Sequence, residues 1–318
     1  MSHDVGAPDP TSPTVLRELF RDHDFHPRRS LGQTFLTDAN IVGKIVAAAE
    51  LSGREPVLEI GPGAGAVTRA LVAAAPRVLA IEIDRTLIAV LRDTVGEPVE
   101  ILNADVLTVD WEQTLGGEGR WRVVANLPYA ITGPAILQLL SARRYVDRLV
   151  IMVQLEVAER LLAPPGGRQR GLLSVLVQAA CEVKSVWRVS RTCFWPQPRV
   201  DSEILALAVR RPSLVPESVA PVFARVVHAG FATRRKMLVN ALAHSPELGL
   251  TKDDARSALI SCGIDPDRRA ETLSEMEFLR LAEVLQGREG GGASALRPAA
   301  QPTAPRKYRR NREGGGAL

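Results

Sequence analysis

The sequence is poor in cysteine and has no long apolar run, and both absences narrow what the chain can be. Three cysteines occur in 318 residues, Cys181, Cys193 and Cys262, and their spacing fits neither a disulfide framework nor a metal motif. No metal site is expected, and a reducing cytoplasm is the natural compartment. No stretch approaches the ~20 consecutive apolar residues of a membrane helix. The segment from Met1 to Pro13 is polar and lacks the apolar core of a secretory leader. With 46% hydrophobic residues, the composition is that of a soluble protein of one large or two unequal domains, with no membrane partner.

A strongly basic body is also missing. The formal net charge is +4, but the tail from Gly287 to Leu318 holds seven basic residues against Glu289 and Glu313, so residues 1–286 carry −1. Gly, Ala, Pro and Arg without periodicity make that tail a disordered segment, with a basic run able to add non-specific affinity for phosphate or simply solvated. In the body the cations are clustered, at Arg28-Arg29, Arg234-Arg235-Lys236 and Arg268-Arg269.

What is present is organised around Val123-Val124-Ala125-Asn126-Leu127-Pro128-Tyr129, where an apolar strand-like run breaks into a turn. Asn126 offers an acceptor and two donors, Pro128 a rigid turn with a free carbonyl, and Tyr129 a flat stacking face. These are the parts needed to hold a planar exocyclic amine. A strand end closed by a Pro turn over a core Tyr is the other reading of the same residues.

Upstream, Pro13 to His23 reads as a short helix, and Asp38 can cap a helix through Ile41, Ile45 and Val46. Strand-like Pro56 to Ile60 then runs into Gly61-Pro62-Gly63-Ala64-Gly65 and a helix from Ala66 to Ala75, so the backbone can approach a ligand at the strand's carboxyl end. Val78 to Ile81 ends in Glu82, which can accept both ribose hydroxyls of a nucleoside. The third glycine comes one position early for a dinucleotide fingerprint, which favours a nucleoside ligand without a pyrophosphate. Asp105, after strand-like Val99 to Leu102, would suit an adenine amino group or cap the helix that starts at Val106. Four strand ends thus present small or polar residues to one sheet edge.

Further motifs carry a resemblance: Leu31-Gly32-Gln33-Thr34-Phe35-Leu36, Leu58-Glu59-Ile60-Gly61-Pro62-Gly63, Glu82-Ile83-Asp84, Phe194-Trp195-Pro196-Gln197-Pro198-Arg199-Val200-Asp201-Ser202 and Phe231-Ala232-Thr233-Arg234-Arg235-Lys236. With Asn126-Leu127-Pro128-Tyr129 they are similar to those of the ribosomal RNA adenine N6-dimethyltransferases of the bacterial KsgA type, from about Arg28 to about Leu285. The resemblance implies an α/β class I (Rossmann-like) methyltransferase fold, a seven-stranded mostly parallel sheet flanked by helices, with a small all-helical C-terminal domain. It implies S-adenosylmethionine as the methyl donor, with Thr34, Leu36, Gly61, Glu82, Asp105 and Asn126 as cofactor positions. Phe194 resembles the family's second aromatic clamp. Two positions depart from the pattern: Thr34 stands where Asn is usual, shortening one polar contact, and Ala130 follows Tyr129 where Asn is common.

The chemistry follows from the groups. A sulfonium methyl is already activated, and the nucleophile, adenine N6, is poor because its lone pair is delocalised into the ring. Orientation can supply up to roughly 7–11 kcal/mol, against about 1–3 kcal/mol from stacking the base. Asn126 and the Pro128 carbonyl are therefore expected to accept from the amine, with Tyr129 and Phe194 clamping the ring. No general base is needed, since the methylated amine is cationic and loses its proton to water or a carbonyl. A base that must leave its stack does so most cheaply in a single-stranded loop. The resemblance supplies the target: two adjacent adenines in the 3′-terminal hairpin of 16S ribosomal RNA, within the 30S subunit, modified by an enzyme acting as a monomer.

Arg148 to Val153 reads as a strand and Gln154 to Leu162 as a helix, broken at Pro164-Pro165-Gly166-Gly167 by a loop whose Arg168 and Arg170 could contact RNA. Leu172 to Ala180 is helix-like, Val183 to Val189 and Ile204 to Val209 strand-like, and Arg210-Arg211-Pro212 marks a boundary. Helices are expected over Glu217 to Gly230, Ala232 to Ala243, Thr251 to Ser261 and Ser274 to Leu285, the last opened by a capping box. The domains are accordingly an N-terminal extension at 1–27, the catalytic domain at 28–211, the helical domain at 212–286 and the tail at 287–318. Arg28, Arg29, Arg168, Arg170, Arg234, Arg235 and Lys236 are the expected RNA contacts. A resistance-type 23S RNA methyltransferase and an RNA-binding assembly factor with secondary methylation are the alternatives; Asn126-Leu127 in place of Asn-Ile, with the stretch from Gly263 to Glu271, favours the small-subunit enzyme.

Overall fold

The computed structural model describes residues 7–28, 32–96, 99–117, 119–128, 131–233 and 235–289. The chain opens with helix α1 (Pro13–Asp22), whose proline sits in the first turn, where a missing N–H is no loss. A two-residue strand β1 (Phe35–Leu36) precedes helix α2 (Ala39–Ala48), capped by the Asp38 carboxylate, which accepts from the Asn40 and Ile41 N–H groups. Then β/α alternation begins: β2 (Val57–Ile60), α3 (Ala66–Ala74), β3 (Val78–Glu82), α4 (Arg85–Val95), β4 (Val99–Asn103), α5 (Trp111–Leu115), β5 (Trp121–Asn126), α6 (Thr132–Ser141) and β6 (Val146–Gln154). Helices α7 (Leu155–Leu162) and α8 (Leu172–Ala180), strand β7 (Cys181–Val189), the short β8 (Phe194–Trp195) and β9 (Ser202–Val209) complete this half.

The main sheet has the order β4-β3-β2-β5-β6-β9-β7, parallel from β4 through β6, with β9 antiparallel to both its neighbours. Every residue of β2 and β3 is buried, as strands covered on both faces require. One face packs Leu58, Ile60, Val123 and Ala125 against α5 to α8; the other packs Val57, Val124, Met152 and Ile204 against α2 and α3. From β2 the chain winds outward to β3 and β4, then crosses back to β5 and β6 on the other side of β2. The winding direction reverses between β2 and β5, and a crevice opens at their carboxyl ends, the place where doubly wound sheets bind ligands.

Helices α9 (Ala220–Phe231), α10 (Leu238–Ala243), α11 (Lys252–Ser261) and α12 (Glu275–Glu289) pack round Phe223, Val226, Leu259 and Phe278, with Val175 and Ala179 of α8 inside the same cluster. The helix expected from Ala232 begins only at Leu238. The Leu238 N–H donates to the Arg268 carbonyl (2.7 Å) and that of Val239 to Pro266 (3.3 Å), which draws the chain across and leaves 232–233 and 235–237 outside any helix. Arg235 and Lys236 are exposed there, rather than fanned round a helix; Arg234, like Arg29, lies outside the described residues.

Arg170 corrects the sequence expectation. Expected to face RNA, it is 0% exposed and donates to the Leu273 carbonyl (3.0 and 3.2 Å) and to that of Ala163 (2.9 Å), with Glu275 at 2.6 Å. Ala163 ends α7 and Leu273 ends a 3-10 turn ahead of α12. Helix ends leave carbonyls without intrahelical partners, and a buried guanidinium with several donors satisfies them. Arg168, by contrast, is exposed.

Candidate active site

A cavity of about 470 Å³ fills the crevice at the switch point, a size suited to a small-molecule ligand. Its floor is the turn after β2, where Gly61, Gly63 and Gly65 have φ of 69, 57 and 86°, the left-handed region open to glycine. A Cβ on Gly61 would lie 3.3 Å from the Asn126 carbonyl oxygen, and one on Gly63 would meet the Phe35 ring at 3.1 Å. The turn therefore brings bare backbone to the ligand side while the neighbouring strand and an aromatic ring close in behind it.

Glu82, the last residue of β3, lines the cavity and accepts from the Asp84 N–H at 2.9 Å. Burial raises its carboxyl above the usual range, and the N–H groups of Asp84, Gly63 and Ile83 pull the other way. Asp105 lines the wall beyond it and also caps the turn at Val106, its Oδ1 accepting from the Leu107 N–H at 2.9 Å. The two readings of Asp105 are thus compatible, because only one carboxylate oxygen serves the cap. Thr34 and Leu36 line the opposite wall. Leu36 is held in the small antiparallel pair of β1 and β8, where it faces Phe194.

Asn126 and Pro128 line the cavity as well. Asn126 ends β5 in register with Met152 of β6, and its neighbour Ala125 pairs with Ile60, which sets Asn126 beside Gly61. The expectation of a free Pro128 carbonyl fails here: it accepts from the Ile131 N–H and the Thr132 hydroxyl, both at 3.1 Å. The first turn of α6 has donors without intrahelical acceptors, and Pro128 supplies one. Tyr129 and Ala130 lie outside the described residues. Phe194, expected as a clamp, is 4% exposed, belongs to the core beneath α2 and is not among the residues lining the cavity.

Sequence reasoning overlooked several groups at the cavity. Ile83, 60% exposed, lines the rim beside Glu82 and offers an apolar face to a planar ring. Gln33 also lines it, beside Arg28, which the sequence offered only as an RNA contact and whose N–H donates to the Gln33 side-chain oxygen at 2.8 Å. Most telling is Glu59. It lines the cavity, is 3% exposed, and its Oε2 has no hydrogen-bond partner. Burial pushes its carboxyl up to about 7, and the Glu82 charge adds to the rise. The signal was available, since an acidic residue inside an all-apolar strand is costly unless something meets it. A nucleoside donor carrying positive charge fits this cavity: bare backbone on the floor, a carboxylate beside the ribose position, and an unpartnered buried carboxyl that a cation would satisfy.

The fold and its cavity define a class I methyltransferase, and solved structures agree. A dimethyladenosine transferase from Plasmodium falciparum superposes with a TM-score of 0.67 at 27% identity, over 80% of this chain and 98% of that one. The 23S rRNA methyltransferase ErmE gives 0.61 at 28% identity, over 79% and 99%. More particularly, the chain belongs to the ribosomal RNA adenine dimethylase family, whose model matches residues 24–287. Similar curated proteins include the ribosomal RNA small subunit methyltransferases A of Pelotomaculum thermopropionicum, 45% identical over 86% of this chain and 96% of its own length, and of Moorella thermoacetica, 46% identical over 84% and 96%.

Proposed function

We propose that this protein transfers methyl groups from S-adenosylmethionine to N6 of two adjacent adenosines in the 3′-terminal hairpin loop of 16S ribosomal RNA, acting on the small ribosomal subunit. The observation that carries this reading is the meeting of Asn126 with Gly61, Glu59 and Glu82 in one cavity, in a chain of the rRNA adenine dimethylase family. When bound, S-adenosylmethionine supplies a methyl already activated on a sulfonium. Glu82 would accept from the ribose hydroxyls, Ile83 would pack on the adenine with Asp105 at its amino group, and Glu59 would face the positive charge. Thr34 and Leu36 complete the wall.

The Asn126 side-chain oxygen would accept from the target amine and draw its lone pair out of the ring plane. Held in this way, the amine would take the activated methyl and release its proton to water, with no residue here required as a base. Because the Pro128 carbonyl is already engaged by Ile131 and Thr132, orientation of the amine rests first on Asn126. Arg28 at the cavity rim, with exposed Arg168, Arg235 and Lys236, supports contact with RNA phosphates.

Incubation with labelled S-adenosylmethionine and either ribosomal subunit, from cells lacking the modification, tests the reading. Two dimethylated adenines in the small-subunit RNA are expected by mass spectrometry. Label confined to the large subunit would overturn the choice of substrate in favour of the ErmE-like activity.

A further inference from the structure

Trp187 is 48% exposed although it lies on a strand of the main sheet. Strand β7 is the outer strand, and its register against β9 shifts between Ser185 and Trp187, a bulge of the kind that re-aims side chains. Across the sheet, Trp187 pairs with Ile204, Ile204 with Met152, and Met152 with Asn126. The indole therefore stands level with Asn126, three strand spacings away, about 14 Å at ~4.8 Å per strand. Met152 and Ile204 are buried beneath α2, so Trp187 rises from that same face.

There the Lys44 ammonium of α2 lies 3.3 Å from the ring centroid. Lys184, opposite Ala206, projects on the same side by the alternation of the strand. The neighbouring carboxylates are committed elsewhere. Asp38 caps α2, Glu50 pairs with Arg148, Glu182 with Arg210, and Asp201 with Arg188; Glu203 takes the Ser185 hydroxyl. Arg191 and Arg199 are exposed on the loop that follows β7, at the same edge of the sheet as the cavity. An exposed aromatic ring thus sits with Lys44 and Lys184 on its own face of the sheet, and with Arg191 and Arg199 further along the same edge.

We propose that Trp187, with Lys44 and Lys184, is a stacking platform for an unpaired base of the substrate RNA flanking the target adenines. Every base has a π-face that an indole can receive; here the base takes the ring face opposite the Lys44 ammonium, and Lys44 and Lys184 match the phosphates on either side of that base. The distance to Asn126 leaves room for a few nucleotides between the platform and the modified base. The proposal rests on an RNA substrate, as argued above, and locates a contact on the catalytic half, separate from the turn of Arg235 and Lys236.

The test measures, for the full chain, equilibrium binding of a labelled RNA hairpin with the 3′-terminal 16S sequence, and kcat and KM for small subunits lacking the modification. Trp187→Ala should weaken hairpin binding and raise KM by at least about fivefold, the low end of a lost aromatic–base stack, with kcat and S-adenosylmethionine affinity unchanged. Trp187→Phe should stay within about twofold, and Lys44→Gln should lower the slope of binding against salt by about one. Trp187→Leu replaces the alanine variant if that one unfolds, and the same weakening is expected. Hairpin affinity of Trp187→Ala or Trp187→Leu within twofold of the parent's would overturn the proposal. So would a loss seen on assembled subunits but not on the hairpin, which would assign the face to a ribosomal protein. Absence of methyl transfer by the parent sinks the proposed function separately, because hairpin binding still scores the platform.

Discussion

Glu59 combines strain in the free protein with a role for the bound one. Its carboxyl, ordinarily near 4.5, stands at about 7 because burial disfavours the charge. Between those values the folded chain binds a proton that the unfolded chain has released, so the free energy of unfolding falls as pH rises through the window, by about 1.4 kcal/mol per pH unit at most. Glu59→Gln should leave the ligand-free protein little changed near pH 4.5 and stabilise it by about 2–3 kcal/mol at pH 8, as urea unfolding at the two pH values will read. The same change should weaken S-adenosylmethionine binding, and the parent's affinity should rise with pH through about 7, both measurable by titration calorimetry. Asn126→Ala carries the opposite signature. Cofactor-saturated methyl transfer should fall by about 10²-fold or more, as when one preorganised polar contact is removed from a reacting centre; activity near the parent's would sink the role given to the amide.

At the scale of elements, the turn between β2 and α3 is set by contacts as much as by conformation. A Cβ on Gly65, where φ is 86°, would lie 2.7 Å from the Thr94 hydroxyl and 2.8 Å from a Val95 methyl, and that hydroxyl also donates to the Ala64 carbonyl. Gly65→Ala should destabilise the fold by about 2–5 kcal/mol, the left-handed penalty and the overpacking together, a loss that thermal unfolding will show. This glycine was legible in the sequence as part of a turn; its packing against α4 was not. Nor was the pairing of β1 with β8. Two residues carry no strand periodicity, and their partners lie some 160 positions apart in the chain, so only the fold could show that Leu36 and Phe194 meet. The helix expected from Ala232 had suitable composition, and backbone bonds to Pro266 and Arg268 overrode it.

For the whole molecule, Arg170 is a buried polar link between the sheet-bearing half and the C-terminal helices, beside the apolar packing of α8. It joins the end of α7 to the start of α12, beside the Gly166 N–H, which donates to the Glu271 carbonyl at 2.8 Å. Arg170→Met should destabilise by about 3–5 kcal/mol, because it leaves Glu275 and the carbonyls without their donors. A lowered urea midpoint with unchanged cofactor affinity is expected, since Arg170 does not line the cavity. Helix α1 is tied in as well: Leu16, Leu19 and Phe20 pack with Phe25 and Phe35 against Ala64 and Leu87. A segment read as an extension thus supports the wall behind the glycine turn.

The sequence by itself determined the run from β2 through α3 to β3, the glycine turn with Glu82 after it, and the break at Asn126. Each is a local property: hydrophobic periodicity, glycine spacing, or a polar residue ending an apolar run. Tertiary structure decided the rest, because burial and pairing depend on residues distant in the chain. It turned Arg170 inward, engaged the Pro128 carbonyl, drew Phe194 into the core and left Glu59 unpartnered at the cavity. It also set Trp187 level with Asn126, through a register that runs across four strands and that no local pattern encodes.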